Sequence, residues 1–299
     1  MKFLETLING LSVGGIYAMI ALGYTMVYGI AKMLNFAHGD IIMVGAYIII
    51  LMIPVNPIVA IIAAIVLCAL FGIFIEKIAY KPLRGASPLA VLITAIGVSY
   101  LLQSLAQIIA GPNPKLNNLF EMLFPDFLES YRGGNIAIGA FSIKLSTIIT
   151  LVCVALVMVG LTLFVKRTKT GRAMVAVSED KGAAQLMGIN VNHIIMITFA
   201  IGSALAALAS TLMLLDGQKF SVDMGSLPGI KAFTAAVIGG IGSIPGAMLG
   251  GIALGVVECA SQAITPLAPY TVAIEFSILI IVLLVKPTGF LGKKRREKV

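Results

Sequence analysis

Apolar segments long enough to cross a bilayer fill this chain from Leu7 to Val285, and they dictate what it can fold into. In hydrocarbon every backbone N–H and C=O must be paired inside the protein, so such segments become helices. The one long polar, charged interruption in the second half is Lys166–His193, KRTKTGRAMVAVSEDKGAAQLMGINVNH. Charged residues make up only 11% of the 299, where a soluble domain carries roughly 25%. The expectation is an all-α, polytopic membrane helix bundle that forms a single domain over residues 1–299. In a soluble protein a net charge of +8 would point to nucleic acid. Here it reads as Lys and Arg gathered on cytoplasmic loops, with no nucleic-acid partner. Cys68, Cys153 and Cys259 all fall in apolar segments and read as packing residues.

The first span, Leu7–Ile30, is expected to be a retained membrane helix rather than a cleaved leader. Along it Gly10, Gly14, Tyr17, Ala21, Tyr24 and Tyr28 recur at steps of three and four, which puts them on one face. That face either packs against another helix or lines a pore, with Tyr17 a candidate for the solute path. The polar turn Lys32–Asp40, KMLNFAHGD, is followed by only 13 apolar residues, 41–53, before Pro54. A full span needs about 20. This segment therefore borrows residues from the turn or is a broken, re-entrant helix. Irregular backbone at membrane depth must be covered by protein or line a water-filled cavity, so Asn35, His38 and Asp40 are further path candidates.

Ile58–Ile75 is an uninterrupted span closed by Glu76, Lys77, Lys81 and Arg84. Pro88–Ala110 carries no formal charge but places Ser99, Gln103 and Gln107 at i, i+4 and i+8. A polar stripe is costly against lipid, so it should face the bundle or an aqueous path. A loop spans 111–142, a span 143–165, another span 194–215, and a second polar loop 216–228. The region 229–264 is broken like 31–56, and paired interruptions of this kind often mark the path of a transporter. Its Gly242, Gly246 and Gly250, followed by Gly251 and Gly255, form G-x-x-x-G pairs suited to close helix packing. Glu258 and Gln262 share a helical face, and Glu275 lies in the last span, near 270–285. Each buried acid is either a functional group or one hydrogen-bonded within the bundle.

Of 21 basic residues, 14 fall in three segments: three in 77–84, five in 166–181 and six in 286–298. The positive-inside rule makes these cytoplasmic, with the loops at 111–142 and 216–228 outside and the C-terminus inside. About eight to nine crossings follow, including the broken ones. The side of the N-terminus depends on whether 41–53 spans.

No Walker loop, H-E-x-x-H or G-x-S-x-G is present, so neither ATP binding by a P-loop nor hydrolysis at such a centre is expected. No cofactor bound by this chain is implied. Within the polar interruption, Arg172–Val177 suits a short helix. Ser178 suits the N-cap of a second, with Glu179 and Asp180 in its first turn. Ala183, Ala184, Leu186 and Met187 follow, and Gly188 suits its C-terminal stop. Such a helix, exposed to water with small and apolar residues on its surface, has reason to dock.

Four blocks resemble the branched-chain amino-acid (Liv-type) permeases of ABC importers. They are LNFAHGDIIMVGAY (34–47), TKTGRAMVAVSEDKGAAQLMGIN (168–190), VIGGIGSIPGAMLGG (237–251) and KPTGFLG (286–292). Together they spread over nearly the whole chain, and the first block resembles the first of the two homologous permeases in such systems. The resemblance implies a prokaryotic plasma (inner) membrane protein. It implies a homologous second permease, two cytoplasmic ATPase subunits and a soluble solute-binding protein as partners. It also implies that 166–193 is the segment coupled to the ATPase. Permeases of this kind often carry E-A-A-x-x-x-G there; this chain has Gly182-Ala183-Ala184-Gln-Leu-Met-Gly188, with Gly182 in place of the Glu. Small residues fitting an ATPase cleft carry over, whereas an ion pair from that Glu does not. Leucine, isoleucine and valine are the solutes the family implies, with urea and short amides carried by similar permeases. A proton-coupled secondary carrier relying on Glu258 and Glu275 is the alternative reading, and a passive channel a third.

Overall fold

The computed structural model of the chain describes residues 2–110, 135–138 and 141–292. Its helices are α1 (Lys2–Ala31), α2 (His38–Met52), α3 (Pro57–Ile75), α4 (Pro88–Ala110), α5 (Leu145–Arg167), α6 (Lys169–Glu179), α7 (Lys181–Leu186), α8 (Val191–Leu215), α9 (Ser226–Gly239), α10 (Ile244–Ala263) and α11 (Thr271–Val285). Tighter and wider turns extend α3 to Leu83. Among the described residues, seven helices are long and apolar enough to cross a membrane, and α2 and α9 are shorter apolar helices.

Local chemistry sets the boundaries. Asn56 opens α3 in an extended conformation, and its side chain accepts from the Ile58 and Val59 N–H groups. Pro57 takes the first helical position, where its missing donor costs nothing. Ser243 caps α10 through the Gly246 N–H. The expected all-α architecture has one addition. Strand β1 (Asn135–Ile138) pairs antiparallel with β2 (Phe141–Lys144), Asn135 lying opposite Lys144. Most of the expected 111–142 loop lies outside the described residues.

Helix α1 is the axis of the bundle: 89% of its apolar window is buried, against 17% for α4, α5 and the 268–285 segment. The glycines of its Gly/Tyr face pack against another helix. Gly10 and Gly14 meet Gly255 and Gly251 of α10. A Cβ on Gly255 would lie 2.1 Å from the Gly14 nitrogen, and one on Gly251 2.4 Å from the Ala18 Cα. The other glycines of α10 face α9, where a Cβ on Gly246 would lie 2.4 Å from the Gly239 oxygen and one on Gly250 2.1 Å from the Ala235 oxygen. Without side chains the two backbones approach closely. Gly242 differs from the expectation. It sits in the turn before α10 with φ +93°, and a Cβ there would meet only the Gly29 Cα, at 3.8 Å. Its role is the turn, since its left-handed backbone disfavours any side chain.

Four contacts bring two of the basic segments, 77–84 and 166–181, to one end of the bundle. Lys181 Nζ donates to the Ala31 carbonyl across 3.1 Å. Arg84 donates to Asn192 Oδ1 and pairs with the buried Glu76. The Tyr80 hydroxyl donates to Asn35 Oδ1 across 2.7 Å. The end of α1, the end of α3 and the α6–α7 segment therefore share one end.

Candidate functional site

The 168–190 segment is built as two short helices, each with a side-chain cap. Thr168 caps α6 by accepting from the Gly171 N–H at 2.9 Å. Gly171, Met174 and Val177 turn inward, and a Cβ on Gly171 would lie 2.2 Å from the Phe164 oxygen. The cap between the two helices is Asp180, not Ser178. Asp180 has the extended backbone of an N-cap, and its Oδ1 accepts from the Gly182 N–H at 2.9 Å and the Ala183 N–H at 3.0 Å. Ser178 lies in the last turn of α6, its hydroxyl donating to the Val175 carbonyl at 2.7 Å. A carboxylate placed where two N–H groups are free at the helix start is favoured by both hydrogen bonding and the helix dipole. Glu179 accordingly closes α6 instead of opening α7.

The end of α7 matches its sequence signals. Gly188 takes φ +80°. Its N–H donates to the Gln185 carbonyl at 2.9 Å, and the Ile189 N–H donates to the Ala184 carbonyl at 3.0 Å. This is the Schellman arrangement, and it needs a left-handed residue at Gly188. Ala184 is buried against the chain itself, so it does not belong to the exposed surface expected of it. Ala183, Arg172, Gly182 and Gly188 are exposed. Leu186 and Met187 are the most prominent, at 91% and 82% exposure. Two large apolar side chains thus stand exposed side by side at the end of a capped helix. Partial burial, with the Arg84 guanidinium nearby, pulls the Lys181 ammonium below its ordinary pKa.

At the other candidate region the two short helices meet by their N-terminal ends. A Cβ on Gly39 would lie 2.5 Å from the Gly225 oxygen, and one on Gly225 1.8 Å from the Gly39 oxygen. Asp40, buried in the first turn of α2, accepts from Gln103 Nε2 at 2.8 Å. The same amide nitrogen lies 3.0 Å from Ser226 Oγ and 3.4 Å from Ser99 Oγ. Gln103 thus ties α4 to both short helices. Gln107 is exposed and stands apart from Ser99 and Gln103, because i and i+8 lie about 80° apart around a helix. His38 is buried with its ring edge-on to Tyr24, centroids 4.7 Å apart, and its Nε2 has no hydrogen-bond partner. Asn35 is buried beneath Tyr80.

A third cluster joins four helices. The Tyr17 hydroxyl donates to Glu258 Oε2 at 2.6 Å. Lys231 Nζ donates to Glu258 Oε1 at 2.8 Å, and Gln262 Nε2 reaches the same oxygen at 3.2 Å. Lys231 also lies 3.3 Å from Glu275 Oε2. Glu258 is therefore hydrogen-bonded within the bundle, one of the two readings open for it. Glu275 is not: it is fully buried, and neither of its oxygens has a hydrogen-bond donor. Lys231 is a site residue that the sequence reading above does not include; a lone lysine inside the apolar stretch 226–239 is its signal. Among the described residues, no three His, Cys, Asp or Glu side chains group as metal ligands.

The profile of the family described as "Branched-chain amino acid transport system / permease component" matches residues 6–283. The high-affinity branched-chain amino acid transport system permease protein BraD of Pseudomonas aeruginosa is 44% identical, covering 99% of this chain and 98% of its own. LivH of Escherichia coli K12, named in the same terms, is 40% identical over 100% of this chain and 98% of its own. The probable LivH of Methanocaldococcus jannaschii is 28% identical over 92% and 88%.

Proposed function

The chain belongs to the family of branched-chain amino acid transport permease components, and from that premise we propose that it is the membrane-spanning subunit of an ABC importer. Its solute is a branched-chain amino acid, carried into the cytoplasm. ATP is hydrolysed by a separate subunit, and this chain binds no cofactor. The full assembly pairs it with a homologous permease, two cytoplasmic ATPase subunits and a soluble solute-binding protein. It sits in the inner membrane of a prokaryote with its C-terminus in the cytoplasm.

The observation that carries this reading is the exposed Leu186–Met187 tip on a segment locked to the bundle. Closure of the ATPase pair pushes on α7. Because α6 packs through Gly171, Met174 and Val177, and Lys181 holds the end of α1, that push reaches the bundle as a rigid displacement. The gathering of the 77–84 and 166–193 basic segments at one end supports a cytoplasmic position for this tip. With Gly182 in place of an acidic residue, the contact relies on shape and apolar burial.

Purification of the tagged chain from its native membrane tests the assembly: an ATPase and a second permease should come with it. Leucine uptake into liposomes should need all of them, ATP and the binding protein. Uptake by the chain alone under a pH gradient would establish the secondary-carrier reading instead. Flux without ATP or gradient would establish a channel.

A further inference from the structure

We infer that the cluster of Tyr17, Lys231, Glu258 and Glu275 is a proton-binding site that holds one proton on Glu275. The argument begins with a charge count. One ammonium faces two carboxylates, and all three side chains are buried in the bundle. If both acids were ionised, the site would keep one uncompensated negative charge, which a low-dielectric interior strongly disfavours.

The hydrogen bonds decide which acid is neutral. Glu258 accepts from Tyr17, Lys231 and Gln262. Three donors stabilise a carboxylate. Glu275 has none on either oxygen; the Lys231 ammonium lies 3.3 Å from its Oε2 as an ion-pair contact, and Glu258 is its other close neighbour. An ionised carboxylate without donors is the costlier of the two, so the proton resides on Glu275. The groups facing it are Lys231 from α9 and Glu258 from α10; Tyr17 from α1 and Cys259 from α10 act on the same cluster. A metal ion does not suit the site. Hard cations take about six or more oxygen ligands, and the Glu258 oxygens already serve three donors.

Infrared spectroscopy of the purified full chain in lipid tests this at neutral pH, where surface carboxylates are ionised. The expected spectrum contains the carbonyl stretch of one protonated carboxylic acid per chain. That band should disappear in Glu275→Gln and survive in Asp40→Asn, another of the buried acids. Absence of the band in the unaltered chain overturns the proposal, as does its survival in Glu275→Gln. Thermal stability provides an independent arm. Glutamine is isosteric with a neutral glutamic acid, so Glu275→Gln should leave the unfolding temperature unchanged, while Glu258→Gln lowers it. A Glu275→Gln chain that unfolds as early as Glu258→Gln, or fails to fold, shows that Glu275 is ionised and paired with Lys231.

Discussion

Gly39 and Gly225 meet backbone to backbone, close enough that a Cβ on Gly225 would lie 1.8 Å from the Gly39 oxygen. This contact joins the N-terminal ends of the two short helices, α2 and α9, inside a bundle of longer ones. It makes a spatial pair of two interruptions that are far apart in the chain.

The contact has no room for a side chain. Gly39→Val should cost about 1–3 kcal/mol or more, the usual penalty for overpacking. Gly97 supplies the control, since a Cβ there meets nothing within 4 Å. Gly97→Ala in the middle of α4 should be neutral or stabilise by up to about 1 kcal/mol through helix propensity. Thermal unfolding in detergent separates the two.

Gln103 is the polar joint between α4 and the short pair. Gln103→Leu removes one donor from the buried Asp40 carboxylate and leaves Ser99 as its side-chain partner. Losing a hydrogen bond to a charged group costs about 1.5–3 kcal/mol. The double variant Gln103→Leu with Asp40→Asn should recover part of that loss, because the remaining group is no longer a charge. Additive losses in the unfolding temperature would show that the two side chains do not interact.

Lys231 pairs with the buried Glu258 carboxylate at 2.8 Å and lies 3.3 Å from Glu275. Lys231→Met should therefore destabilise by about 3–5 kcal/mol, the cost of breaking a buried ion pair from one side. Adding Glu258→Gln to Lys231→Met should restore much of the stability. Yield and unfolding temperature of the two variants provide the check, and equal values would contradict the ion-pair account.

The cap assignment in the docking segment is also open to test. Asp180→Ala should cost about 1 kcal/mol of local stability, the usual value of an N-cap, and Ser178→Ala should cost less. Hydrogen exchange at the Gly182 and Ala183 amides reports this directly, with faster exchange expected only in Asp180→Ala.

Much of this architecture is legible in the sequence because lipid leaves few options. Runs of apolar residues give the helices, and the short run 41–53 shows in advance that α2 is incomplete. Gly188 announces the end of α7, since only a residue at ease with positive φ closes a Schellman turn. Ser178 misleads, because serine and aspartate are comparable caps and the choice depends on which one reaches two free N–H groups. Gln107 misleads because the stripe it continues drifts around the helix. Ala184 is misplaced because a six-residue helix gives too little periodicity to tell its inner face. Lys231 escapes notice for a different reason: its partners Glu258 and Glu275 stand 27 and 44 positions away, and only the packing of α9 against α10 and α11 brings them together.

The central claim is that the Leu186–Met187 tip transmits ATPase motion to the bundle. It is tested most directly by Leu186→Arg with Met187→Arg in the reconstituted importer, measuring ATP-driven leucine uptake. Both side chains are almost wholly exposed, so the variant should insert and unfold like the unaltered chain while uptake falls at least about tenfold, the loss of roughly 1.4 kcal/mol of coupling contact. Uptake at the unaltered rate from a correctly assembled importer would contradict the account.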